Sequence, residues 1–247
     1  MRKVILHYHL FKNAGTSLDA AFKENFSEEK GEWVTKEFPN PPAANREQVR
    51  QWILDNPQAK CFSSHTAIFP VPKFDDIEVI PVIFFRHPID RISSAYSFEK
   101  KQGGNNFGPT LARNTTLSGY IETRLSLTHD RQCRNFHSHR LSSNTLTGAS
   151  DEITISKETM HSLPFIGLVE NYSQSLLKLE ELLLDNGFES ISLKSFTENS
   201  SSRVSLSLRD KLLEIEQKLG SELFNLLNSC NSIDLSLWED VFKLYND

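Results

Sequence analysis

Cysteine is scarce in this chain, with three residues, Cys61, Cys133 and Cys230, far apart and odd in number. No C-x-x-C occurs, which excludes a disulfide framework and a zinc-ribbon type of site, and the thiols are expected to be reduced and structural. Positive charge is not in excess either. A net charge of −5 argues against a surface built to grip nucleic acid, although a local basic pocket stays open. No apolar run of 18 residues exists, and the opening MRKVILHYHLFK is broken by His7 and His9. Neither a membrane span nor a signal peptide is expected, and the expected location is cytoplasmic. Also missing is the nucleotide loop G-x-x-x-x-G-K-[ST], and no D-x-D cluster stands near the corresponding position to hold Mg²⁺.

What is present is ordinary for a globular protein. Hydrophobic residues make up 38% and charged residues 24% of 247, enough for one substantial core and one domain, 1–247. The pattern predicts a strand at Lys3–His9 and a helix at Thr16–Phe26. A proline-containing loop at 40–44 precedes a helix at Arg46–Leu54, and a short strand follows at Lys60–Phe62. EVIPVIFF, Glu78–Phe85, is the most apolar stretch and reads as a strand buried on both faces, with Pro81 as a start or a bulge. A helix is expected at Ile89–Lys101, then a Gly/Asn-rich loop at Gln102–Thr116 with the character of a lid. Leu163–Val169 reads as a strand, Tyr172–Asp185 as a helix, and the stretch from Leu206 to Tyr245 as helical. Strands alternating with helices predict a three-layer α/β fold around a mostly parallel sheet.

Two segments carry chemistry. The first is HLFKNAGTS, His9–Ser17, between the first strand and its helix. A helix start offers unpaired N–H groups and a partial positive charge, so it attracts anions. Gly15 allows close approach, Thr16 and Ser17 add hydroxyls, and Lys12 adds a full charge. The second is FFRHPIDRISSAY, Phe84–Tyr96. Arg86 stands at the carboxyl end of the buried strand, the edge where open α/β sheets bind ligands. Pro88 suits the first turn of the next helix, and Ser94 lies further along it. An arginine fork and a serine hydroxyl can converge on one phosphate.

Together these segments resemble the carbohydrate-type branch of the sulfotransferases that use 3′-phosphoadenosine 5′-phosphosulfate (PAPS). FKNAGTS matches that family's H-x-P-K-x-[GA]-[GS]-T-S, with Phe11 for the proline. Arg86, Pro88, Arg91, Ser94 and Tyr96 fall in register with its R-x-P-x-x-R-x-x-S-x-Y. FIGLVENYSQSLLKLE, 165–180, resembles its G-L-x-E segment, and NSIDLSLWEDVFKLY, 231–245, its closing helix, with Trp238 for a tyrosine. The resemblance implies a P-loop-like loop, Lys12, Asn13, Ala14, Gly15, Thr16 and Ser17, holding the 5′-phosphosulfate. It also implies Arg86 and Ser94 on the 3′-phosphate, with PAPS as donor and no metal. Lys12 would be catalytic, stabilising charge as the sulfuryl group passes in line between two oxygens.

The acceptor hydroxyl must lose a proton, and histidine titrates in the right range. Of the eight histidines, His65 in CFSSHTAIF resembles the family's G-H-x-x-[FY] segment, with Ser64 for glycine and one extra residue. It is the expected general base, with a rate limb at roughly pH 6 to 7. His7 and His9 would shape the floor of the site, His9 toward the substrate. NFHSHRL, 135–141, resembles a family segment of the cleft and offers Arg140 to the acceptor. Arg203, in SSSRVS, falls where the family has a late loop over the donor, and would touch the 3′-phosphate. The implied acceptor is a hydroxyl on a glycan or small alcohol, with no nucleic-acid partner. Two other classes remain: a nucleotide kinase or NTPase, and a nucleotide-binding relative without turnover.

Overall fold

The computed structural model describes residues 1–38, 41–143, 151–193 and 206–246. In chain order the elements are β1 (Arg2–Tyr8), α1 (Gly15–Asn25), β2 (Trp33–Thr35), α2 (Pro42–Asp55), β3 (Cys61–Ser64) and β4 (Ile77–Phe85). There follow α3 (Pro88–Gln102), α4 (Phe107–Asn114), α5 (Leu117–Ser126), α6 (Phe136–Ser142) and α7 (Glu152–Ser162). The chain continues through β5 (Gly167–Leu168), a 3₁₀ turn (Val169–Asn171), α8 (Tyr172–Asp185), α9 (Leu208–Leu219), α10 (Ser221–Cys230) and α11 (Ser232–Asn246). The five strands form one sheet in the order β2-β3-β1-β4-β5, and every pairing is parallel. Helices cover both faces, so the fold is three-layer α/β, as the sequence predicts.

The alternation of β1 decides what faces where. Val4, Leu6 and Tyr8 pack on the side of α2 and α11, with Trp52, Ile53, Leu237 and Val241. Ile5 packs on the other side against Leu18 and Phe22 of α1 and Leu176 and Leu179 of α8. His7 and His9 share the parity of Ile5, and the His7 ring meets Phe22 edge-on at 6.0 Å. Both histidines are therefore delivered to the face of α1. Phe22 is fully buried there, and its truncation to alanine is expected to cost about 3–5 kcal/mol.

The topology places one crevice. The chain leaves central β1 for β2 on one side, returns by β3, then crosses to β4 on the other. The carboxyl ends of β1 and β4 lie side by side, with Tyr8 paired to Ile83. This reversal of strand order is where such sheets bind ligands.

The sequence reading needs four corrections. The loop expected at 102–116 contains α4, whose Gly108, Pro109 and Ala112 are buried. A Cβ on Gly108 would sit 2.4 Å from Glu99 Oε1, so glycine here marks close packing rather than looseness. The lid reading is thereby withdrawn. The strand expected at 163–169 shrinks to Gly167–Leu168, paired only with Phe84 and Phe85. The prolines read as loop at 40–44 instead start α2, with Pro42 at its first position. Pro81 neither starts nor visibly bulges β4. It pairs in register with Leu6, where β4 has no β5 partner, and an open side is where sheets admit proline. Beyond these, β2, α5, α6 and α7 carry no clear signal in the sequence.

Candidate functional site

The loop after β1 is tightly specified. Lys12 and Ala14 both have left-handed backbone, φ 63° and φ 59°, without being glycine. Such strain persists where surroundings enforce it. Asn13, almost wholly buried, donates from its side chain to Phe11 O at 3.0 Å and from its backbone to Leu10 O at 3.2 Å. His137 of α6 joins Asn13 to α11: its Nε2 lies 2.9 Å from Asn13 Oδ1, and its Nδ1 donates to Asp234 Oδ2 at 3.1 Å. Asp234 also accepts the backbone N–H groups of His137 and Ser138. Its carboxyl is held low: burial works against the charge, and His137 with those N–H groups outweighs it.

The start of α1 is open. No side chain caps it, and the hydroxyls of exposed Thr16 and half-buried Ser17 make no hydrogen bond among the described residues. The first helical N–H groups have no partner within a helix. Arg86 reaches this loop from β4, donating from Nη1 to Lys12 O at 3.3 Å and from Nε to Asp90 Oδ2 at 2.8 Å. Lys12 folds over the Phe98 ring, its Nζ 4.4 Å from the centroid. Burial lowers the Lys12 pKa, and the charge of Arg86 lowers it further. Phe11 also meets Phe98, edge-on at 5.5 Å, which gives the residue replacing proline a packing role. Lys211 of α9 comes within 4.0 Å of Asp90 Oδ2, so a third cation belongs to this corner. Nothing in the sequence around Lys211 signals that.

Of the other motif residues, Arg91, Tyr96 and Glu170 are tied to partners within the protein. Arg91 is fully buried, bonds to Gln132 O and lies over the Phe136 ring, and burial pushes its pKa down to about 10. Tyr96 OH donates to Thr115 O at 2.9 Å. Ser94 is half-buried on α3, and no hydrogen bond joins its side chain to Lys12 or Arg86 among the described residues. Glu170 accepts from His87 N at 2.7 Å and from Trp238 Nε1 at 3.3 Å, tying the end of β4 to α11. Arg203 lies outside the described residues.

A second group faces the first across the end of β1. His65 follows β3, and its Nδ1 donates to His9 O at 3.2 Å. The two rings lie 3.8 Å apart. Asp19, one turn into α1, takes the Nδ1–H of His7 and of His9, each at 2.8 Å. Gly15 is required beneath them, because its Cβ would fall 2.1 Å from His9 Cδ2. Glu37 accepts from His65 N at 3.2 Å, and its charge also reaches His9 and Arg140. Arg140 has a largely enclosed guanidinium without a hydrogen bond among the described residues, and burial lowers its pKa. Burial likewise lowers His9 and His65, while Asp19 is held far below the carboxylate range: burial opposes its charge, and His7 and His9 overcome it.

His7, His9 and Asp19 have metal-ligand chemistry, with ligand atoms within 4.8 Å of one another. Their spacing is that of N–H···O bonds. Ligands of one tetrahedral metal, at about 2.1 Å each, would stand roughly 3.4 Å apart. Two large cavities, of about 780 and 680 Å³, lie at the far edge of the sheet around Met1, and no histidine is among the residues that line them. The chemistry gathers instead where strands β1, β3 and β4 end. Asp19, Glu37 and Lys211 are the participants that motif reading misses. Of these Asp19 had a signal, since a residue four past Gly15 returns to the helix face above β1.

No helix among the described residues is long and apolar enough to cross a membrane. No protein-family model matches the chain. It is 36% identical over 254 aligned residues to an uncharacterized protein of Archaeoglobus fulgidus, with 100% of this chain and 98% of that protein covered. The chain belongs to the same family as that archaeal protein.

Proposed function

We propose that this protein is a sulfotransferase that moves the sulfuryl group of PAPS to an acceptor hydroxyl. One observation carries the reading: an uncapped helix start, a strained lysine loop and an arginine strapped to that loop converge at the strand-order reversal. Such an arrangement favours a polyanion by direct hydrogen bonding and fixed dipoles. The donor's phosphosulfate would lie along Lys12–Ser17, with its 3′-phosphate toward Arg86 and Ser94.

In this scheme the acceptor oxygen bonds to sulfur as the bond from sulfur to the leaving phosphate oxygen breaks. Lys12 and the N–H groups of α1 meet the charge growing on that oxygen. His65 takes the hydroxyl proton at Nε2, since its Nδ1–H is committed to His9 O. Arg140 and Glu37 line the acceptor side. The net charge of −5 favours a neutral or weakly charged glycan or small alcohol over a highly sulfated polymer.

Thermal shift tests the reading against a kinase or NTPase. Adenosine 3′,5′-bisphosphate should raise the melting temperature and ATP–Mg²⁺ should not. The reverse result would sink the proposal. Turnover of ³⁵S-labelled PAPS then separates an enzyme from a relative that only binds.

A further inference from the structure

We propose that His9 is a second catalytic base of this site and that Asp19 is the residue that positions it. This rests on the sulfuryl-transfer reading above. His9 has what His65 lacks, a carboxylate on its far nitrogen. With Nδ1–H given to Asp19 at 2.8 Å, its tautomer is fixed and the lone pair lies on Nε2. That Nε2 has no hydrogen-bond partner among the described residues, and the His9 side chain keeps 9% of its surface exposed. It lies over Gly15, at the start of α1, where the phosphosulfate is expected.

The groups facing His9 are His7 on β1, Asp19 on α1, Glu37 after β2 and His65 after β3. The step balances without another reactant. The acceptor's O–H proton passes to His9 Nε2 as its oxygen bonds to sulfur and adenosine 3′,5′-bisphosphate leaves. The imidazolium so formed is offset by Asp19, which stays ionised. His65 would gain its charge beside His9, with Glu37 already serving the His65 backbone. The His9 and His65 rings, with centroids 3.8 Å apart, make double protonation unfavourable, so one proton is held by the pair and Asp19 biases it toward His9.

Asp19→Asn keeps the shape and removes the charge. PAPS turnover would be followed from pH 4.5 to 8 with water, and with methyl β-galactoside, as acceptor. The expected result is a fall of about 10²-fold in kcat for Asp19→Asn and His9→Gln. Adenosine 3′,5′-bisphosphate affinity should stay within about twofold, and Asp19→Glu should recover part of the rate. Loss of the carboxylate should also move the acid limb to lower pH, since an imidazolium without its counter-ion is harder to form. ¹⁵N-histidine spectra of the wild type should report the Nδ1–H tautomer for His9, a readout that needs no variant to fold. The Nε2–H tautomer would overturn the proposal. So would wild-type rates and limb in Asp19→Asn alongside an inactive His65→Gln. Stoichiometric Zn²⁺ binding lost in Asp19→Asn and His9→Gln would overturn it too, by making the cluster a metal site. If the wild type binds adenosine 3′,5′-bisphosphate and never consumes PAPS, the transferase reading fails with it. Turnover that is indifferent to Asp19 sinks this inference alone.

Discussion

The two halves of the candidate site are built differently. The half we propose for the donor comes from runs of adjacent residues: Lys12–Ser17 on one loop, and Arg86 at the end of one strand, locked to it by a single bond to Lys12 O. The half we propose for the acceptor is assembled from His9 after β1, Asp19 on α1, Glu37 after β2, His65 after β3 and Arg140 on α6. A polyanion can be held by backbone N–H groups, which any sequence supplies once the loop has the right shape. A proton transfer needs particular side chains at particular atoms, and these arrive from wherever the fold can place them. The donor half should therefore fail when its loop is unsupported, and the acceptor half when one charge is altered.

The largest expected effect tests the first part of that contrast. Asp234→Ala removes the acceptor of three N–H groups and leaves His137, fully buried, facing Asn13 without its carboxylate. Breaking such a buried pair costs about 3–5 kcal/mol, measurable by urea unfolding. The wild type should show the matching pH dependence. The Asp234 carboxyl is depressed in the folded state, so its contribution is complete above the unfolded value near 3.9 and is lost as pH falls through the folded value. Destabilisation below about 1 kcal/mol would mean that the loop does not depend on α11. The comparison of the two halves would then lose its structural basis.

Lys12→Ala comes next. A lysine that acts in the transition state should cost about 10²–10³-fold in kcat and little in donor affinity. Full turnover would mean the loop serves another ligand. Arg86→Ala should reverse that split, weakening adenosine 3′,5′-bisphosphate by roughly 2–4 kcal/mol and adenosine 5′-monophosphate hardly at all. Because Arg86 also holds Lys12 O, its melting temperature must be measured alongside. Equal losses for both ligands would assign it to loop support instead of phosphate recognition.

The same contrast explains what could be read from sequence. The parallel core was legible because EVIPVIFF is apolar at consecutive positions, as a strand covered on both faces must be. The donor loop was legible because its residues are neighbours in the chain. Glu37 and Lys211 were not, because only the sheet order brings the ends of β2 and β3 to β1, and only packing brings α9 to α3. α4 was hidden by composition: glycine and asparagine suggest a loop, yet Gly108 is there because Glu99 and Arg124 occupy the space of a side chain. Arg91 misled in the opposite sense. It keeps the motif register and spends its charge on Gln132 and Phe136 inside the protein.

The smallest effect is the most discriminating. The sequence places the acid limb of activity at roughly pH 6 to 7, the ordinary histidine range. In the folded protein both His65 and His9 are shifted downward, chiefly by burial, with His9 lowering His65 further and His7 lowering His9, against the opposing pull of Asp19 and Glu37. A base works when neutral, so kcat/KM should rise with pH through the lowered value and be flat by about neutrality. The limb is expected below pH 6.5 in the wild type. Glu37→Gln removes one carboxylate that favours protonation of His65, so it should move the limb to still lower pH by a fraction of a unit, with the plateau rate changed little. Both carboxylates act on both imidazoles, with Asp19 the stronger partner of His9 and Glu37 the stronger partner of His65. A larger shift in Asp19→Asn than in Glu37→Gln assigns the titration to His9, and the reverse order assigns it to His65. A limb at or above pH 7 in the wild type would mean that neither buried imidazole is the group seen, and the acceptor half would have to be sought outside this cluster.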